Sequence, residues 1–151
     1  MNLTIAAVGR IKKGPERSLW DIYAKRLRWP LSLIEVEAKN VIGIEQIKKK
    51  EADLLLAKVP KASVIVALDQ NGLVASSAEF AKKIGEWQNN GINNLVLVVG
   101  GSDGLDSTVL DKAQMIISMG QMTWPHKLAR VMLLEQLYRA QCILNNHPYH
   151  K

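Results

Sequence analysis

Apolar runs and polar intervals alternate along this chain with a regular rhythm. Leu3 to Val8 is an apolar run with β-branched members that ends at Gly9, the pattern of a buried strand. From Glu16 to Arg28, Leu19, Trp20, Ile22, Tyr23 and Leu27 recur at helical spacing, and Pro30 stops the helix. Leu31 to Glu37 reads as a second strand whose far end alternates apolar and acidic, as expected where one face meets solvent. Ile44 to Lys58 reads as a helix with Ile44, Ile47, Leu54 and Leu55 inward and Lys48, Lys49 and Lys50 outward. Val64 to Leu68 is a third strand. It runs into Asp69-Gln70-Asn71-Gly72, which reads as a turn with Asn-Gly supplying positive φ. Ser76 or Ser77 caps a helix to about Gln88, with Glu79 as part of a capping box. Leu95 to Val99, apolar on both faces, belongs in the middle of a parallel sheet. Asp106 or Ser107 caps a short helix to about Lys112, Met115 to Met119 is a fifth strand, and Pro125 opens a last helix to about Leu144.

Strict alternation of strand and helix predicts one three-layer α/β domain over residues 1–151, with a mainly parallel sheet. The last helix is apolar on more than one side, through Leu128, Val131, Leu133, Leu134, Leu137, Tyr138, Cys142 and Ile143. A helix of that kind needs two burial partners, and the expectation is the sheet on one side and a second copy of the chain on the other.

Charge adds a partner class. Twenty Lys and Arg against fourteen Asp and Glu leave a net charge of +6, which favours a polyanion. Basic residues gather at Arg10, Lys12, Lys13 and Arg17, and again at Lys25, Arg26 and Arg28. One cysteine, Cys142, excludes an internal disulfide and any cysteine-rich zinc pattern. His126, His147 and His150 have no acidic or sulfur ligands grouped with them, so no metal is expected. Residues 1–9 lack a charged leader and no apolar run is long enough to span a bilayer. The expectation is a soluble cytoplasmic protein with no membrane partner.

Three segments could carry chemistry. Gly100-Gly101-Ser102-Asp103-Gly104 follows a buried strand, where ligands of α/β folds bind and glycine lets them approach the backbone. It fits neither the dinucleotide fingerprint nor a P-loop, and alone it is an ordinary strand-to-helix turn. Met119 to Trp124 has no charged side chain and could sandwich an adenine ring and read its edge with backbone groups. A positively charged sulfonium would meet no Lys or Arg there. On the last helix, Glu135 and Arg139 suit an intrahelical ion pair, whereas an inward Arg130 requires an anionic partner. Tyr149, in the closing His147-Pro148-Tyr149-His150, offers a face for a nucleobase.

These segments, taken in order with Ala6-Ala7-Val8-Gly9, Val66-Ala67-Leu68-Asp69, Thr123 to Arg130 and Glu135 to Arg139, resemble over the whole length the RlmH (YbeA-type) family of the SPOUT methyltransferase superfamily. The resemblance implies an α/β fold whose C-terminal segment threads a trefoil knot. It implies S-adenosylmethionine as cofactor, with contacts at Leu68, Gly100, Met119, Gly120, Gln121, Met122, Thr123 and Trp124. It also implies a homodimer in which the tail of one subunit covers the pocket of the other. The implied substrate is a pseudouridine in a stem-loop of large-subunit (23S) ribosomal RNA, methylated at N3 in the assembled ribosome. Trp124 stands where relatives can carry an aliphatic residue or Phe, and Ser102-Asp103 follows the paired glycines; a pocket made of backbone tolerates both.

Roles follow as expectations. Arg130 stabilises the developing anionic base or anchors a phosphate, and Glu135 orients Arg130 or Arg139. Tyr149 and His150 cover the partner's pocket, and Tyr138, Arg139 and His147 bind substrate. A Rossmann-type oxidoreductase would need a glycine fingerprint and an acidic ribose partner about twenty residues on, and the chain has neither there. A ribosome-binding module without catalysis would need no apolar adenine slot.

Overall fold

The computed structural model describes residues 1–150. Five strands form one all-parallel sheet in the order β2-β1-β4-β3-β5: β1 Asn2–Val8, β2 Leu31–Val36, β3 Ser63–Val74, β4 Asn94–Val99 and β5 Met115–Ser118. The helices are α1 Pro15–Arg26, α2 Ile44–Leu56, α3 Ser77–Asn89, α4 Ser107–Leu110 and α5 His126–Leu144.

The period-two pattern of the strands sorts the core into two layers. Leu3, Ile5 and Ala7 of β1, with Leu95, Leu97 and Val99 of β4, face α1, α3 and α5. Ala6, Val8, Val96 and Val98 face α2 and α4. Ser76 caps α3 through a complete capping box with Glu79, and the Asp106 carboxylate accepts the Thr108 N–H at 2.9 Å at the start of α4.

Two expectations change. Residues 69–72 do not end the third strand. β3 runs on to Val74, with Leu68 and Leu73 both opposite Ile117 of β5, so the intervening residues bulge out of the ladder. Neither Asn71 nor Gly72 has positive φ. The Asp69 carboxylate instead accepts the Asn71 N–H at 2.9 Å, and Gly72 is needed for space: a Cβ there would lie 2.6 Å from the carbonyl carbon of Ile117. Most of the second apolar side of α5 is also covered within the chain, although Leu128 and Met132 border an open groove. The helix lies between α1 and α3, and Gln141 within it accepts the N–H groups of Arg28 (2.8 Å) and Trp29 (3.3 Å). The reason given for a second subunit therefore does not stand on α5 alone.

No helix among the described residues is long and apolar enough to cross a membrane.

Candidate functional site

In a parallel sheet every strand delivers its following loop to the same edge. The bulge within β3 and the loops after β4 and β5 converge there around a cavity of about 930 Å³. Its walls include Leu68, Gly100, Met119, Gly120, Met122, Thr123 and Trp124, that is, every cofactor position expected from sequence except the exposed Gln121.

Local chemistry shapes each wall. Gly100 is buried, and a Cβ on it would meet the Gly104 carbonyl carbon at 2.8 Å, so the β4–α4 loop can fold back only without a side chain. Gly104 closes that loop by donating its N–H to the Gly101 carbonyl at 3.2 Å. After β5, the Gly120 N–H donates to the Ser118 hydroxyl at 3.1 Å, and Gly120 turns the chain at φ +99°. Met119, Met122 and Trp124 then supply apolar surface, and Met122 is 75 % exposed. Polar groups also line the cavity: Asp103 of the glycine segment, and Asp69, Asn71, Lys48 and His126, which the sequence does not mark as cofactor positions. Asp69 and His126 fall in segments that carry the family resemblance, but nothing in one sequence separates such positions from ordinary loop residues. Partial burial, then Arg130 and Lys127, hold the His126 imidazole below its ordinary pKa. On α2, burial and then the Asp103 carboxylate push Glu51 up. No three His, Cys, Asp or Glu side chains among the described residues group to hold a metal.

Arg130 is wholly buried and does not face the cavity as a free cation. Its guanidinium donates to the carbonyls of Val8 and Gly9 (3.0 Å for Gly9) and to the Glu35 carboxylate at 3.3 Å. The required anion is thus a side chain of the same protein. Burial lowers the Arg130 pKa, and Glu35 opposes that shift.

The remaining residues gather on the α1–α5 face. Glu135 accepts from Arg139 and, at 2.9 Å, from the Tyr149 hydroxyl. The Tyr149 ring packs edge-on to Tyr138 with centroids 4.7 Å apart, the Arg139 guanidinium lies 4.8 Å from its centroid, and His150 Nδ1 lies 3.3 Å from Arg139. Burial, with Tyr23 and Glu135 alongside, pushes the Tyr149 hydroxyl well above its ordinary pKa, and Glu135 raises that of Arg139. His147 is exposed and its ring accepts the Tyr149 N–H at 3.2 Å. Within one chain this cluster does not line the cavity. Between the two lies an apolar groove of about 620 Å³, bordered by Leu19, Tyr23, Val74, Met119, Leu128 and Glu135.

The fold and cavity define an α/β protein with a cavity of small-molecule size at the C-terminal edge of a parallel sheet. A family profile described as "Predicted SPOUT methyltransferase" matches residues 1–150, and the chain belongs to this family of methyltransferases. It is similar to proteins named "Ribosomal RNA large subunit methyltransferase H" from Rhodospirillum centenum (48 % identity), Paramagnetospirillum magneticum (44 %) and Rhodospirillum rubrum (42 %), each match covering 100 % of this chain and 99 % of the relative.

Proposed function

We propose that this protein is an S-adenosylmethionine-dependent methyltransferase of large-subunit (23S) ribosomal RNA. The proposed target is N3 of a pseudouridine in the assembled ribosome, and the protein works in the cytoplasm as a homodimer. The observation that carries the reading is the convergence of the β3 bulge and the loops after β4 and β5 on one glycine-containing cavity. Its volume falls in the usual range for small-molecule sites, roughly 300–1,000 Å³. The residues fit the cofactor chemically: Met119, Met122 and Trp124 suit the faces of an adenine, loop N–H and C=O groups its edge, and Asp69 and Asp103 favour a cationic ligand. When bound, S-adenosylmethionine supplies an electrophilic methyl group.

The chain's own residues have two tasks. The loops hold the donor so that the nucleophile arrives in line, which accounts for much of the rate in such transfers. Other groups must manage the N3 proton and the charge it leaves. Arg130 is assigned to positioning, because its two terminal nitrogens donate to β1 and Glu35 and only the buried Nε–H is left without a partner. Arg139 takes over charge stabilisation or phosphate anchoring, oriented by Glu135. Tyr149 and His150 of each subunit would cover the cavity of the other, with Tyr138 and His147 touching RNA.

The dimer reading rests on the apolar groove, which shares Met119 and Gly120 with the cavity and Glu135 with the tail cluster. Leu73 and Val74 are 62 % and 67 % exposed. A trefoil knot is supported by the strand order: β5 takes the edge beyond β3, and the segment that follows it borders the same cavity as the β3 bulge.

The test has two parts. Titration calorimetry should give one cofactor site per chain. Mass mapping of ribosomal RNA from a deletion strain should show one methyl missing from a large-subunit pseudouridine, restored by the gene. Tight cofactor binding with an unchanged RNA map would overturn the substrate; no binding would overturn the enzyme.

A further inference from the structure

The loop between β1 and α1, residues 9–14, lies at the cavity edge of the sheet, beside the Gly100–Gly104 wall. A Cβ on Gly101 would sit 3.1 Å from the Val8 side chain. The loop is pinned twice. The Gly9 N–H donates to Val36 at 2.8 Å while the Gly9 carbonyl accepts from Arg130 at 3.0 Å. The Ile11 N–H donates to the Glu35 carboxylate at 2.7 Å, and its side chain is buried. Around these pins, Arg10, Lys12 and Lys13 are all exposed, and none forms a salt bridge with a described residue. The nearest carboxylate on β2, Glu35, is already bound to Ile11 and Arg130.

We propose that Arg10, Lys12 and Lys13 form a contact surface for the RNA sugar-phosphate backbone, and that Glu35 is the positioning residue that sets its shape. The inference rests on the RNA reading above and deepens it. Three cations with no ion pair among the described residues, on or next to a backbone held at Gly9 and Ile11, attract phosphate with less backbone freedom to lose on binding. One Glu35 oxygen receives both the loop's N–H and the buried guanidinium at the start of α5. The loop and the helix that follows the cofactor segment are therefore fixed by the same atom.

Five proteins test this: wild type, the triple variant Arg10→Ala/Lys12→Ala/Lys13→Ala, Glu35→Ala, Glu35→Gln, and the triple variant combined with Glu35→Ala. Binding of a large-subunit RNA fragment is followed by anisotropy across a salt series, with cofactor affinity and methyl transfer to ribosomes measured in parallel. The triple variant should bind RNA at least tenfold more weakly, with a salt slope shallower by about 2–3, and with cofactor affinity unchanged. Glu35→Ala should weaken RNA binding severalfold in the wild-type background and less than twofold in the triple-variant background. Glu35→Gln, which keeps an acceptor for Ile11, should recover most of the loss. Wild-type RNA affinity and salt slope in the triple variant would overturn the proposal, whatever Glu35→Ala does. Independent, multiplying effects would remove Glu35 from it. If wild type binds RNA through this loop yet methylates no ribosomal RNA, the functional reading fails while the surface stands.

Discussion

Arg130 of α5 meets Glu35 of β2 at 3.3 Å, with the guanidinium entirely out of solvent, its terminal nitrogens also donating to the carbonyls of Val8 and Gly9 and its Nε–H without a partner. Two elements 95 residues apart are joined by one buried cation. Removing one partner of such a pair costs several kcal/mol, because the other groups stay behind unpaired. Arg130→Ala is expected to destabilise the fold by about 3 kcal/mol. Arg130→Lys should recover little of it, since an ammonium cannot span the same fork. Urea unfolding checks both; a loss under 1 kcal/mol for Arg130→Ala would return this residue to direct chemistry.

Gly72 and Gly100 are constrained by space, whereas Gly91 is constrained by φ alone. A Cβ on Gly72 collides with the backbone of Ile116 and Ile117, and one on Gly100 with that of Gly104. Backbone cannot step aside as a flexible side chain does. Gly72→Ala should cost about 1–3 kcal/mol by prying β3 from β5. Gly100→Ala should weaken cofactor binding at least tenfold in calorimetry. Gly91→Ala, at φ +76° with nothing within 4 Å, should cost about 1 kcal/mol and leave cofactor affinity unchanged. Equal behaviour of all three would contradict the crowding argument.

His126 makes stability depend on pH. Its folded pKa lies below the ordinary 6.5, mainly through partial burial, so the unfolded chain takes up the proton first as pH falls. The neutral imidazole's contribution is intact above pH 6.5. It is lost as pH drops from there through the folded value. Urea midpoints of wild type should decline over that window more steeply than those of His126→Gln. Parallel curves would show that another group is responsible.

Leu19 and Val74 border the apolar groove and are exposed in the single chain, at 41 % and 67 %. A carboxylate at either position costs the monomer little but must be dehydrated in a buried interface. Leu19→Asp and Val74→Asp should each weaken dimerisation at least tenfold, about 1.4 kcal/mol, in sedimentation, with methyl transfer falling in step. A dimer unaffected by both would place the interface elsewhere.

Much of this was readable before any coordinates. Leu95 to Val99, apolar on both faces, could sit only inside a parallel sheet, and it lies between β1 and β3. Ser76 and Glu79 announced a helix start because a capping box is a contact between near neighbours. The cofactor segment from Met119 to Trp124 stood out through its want of charge. Gln121 belongs to that segment through the family resemblance, and it lies outside the cavity lining.

Local pattern by itself determined the order of elements and the edge of the sheet where loops could hold a ligand. Those properties depend on periodicity, capping and turn chemistry within a few residues. Tertiary structure alone decided that Arg130 serves Glu35 and β1, that Gly72 exists for Ile117, that α1 and α3 cover both flanks of α5, and that the tail lies on Glu135 and Tyr138. Each of these joins residues far apart in the chain. Which distant group satisfies a buried charge or fills a glycine's empty side is settled only when the layers pack.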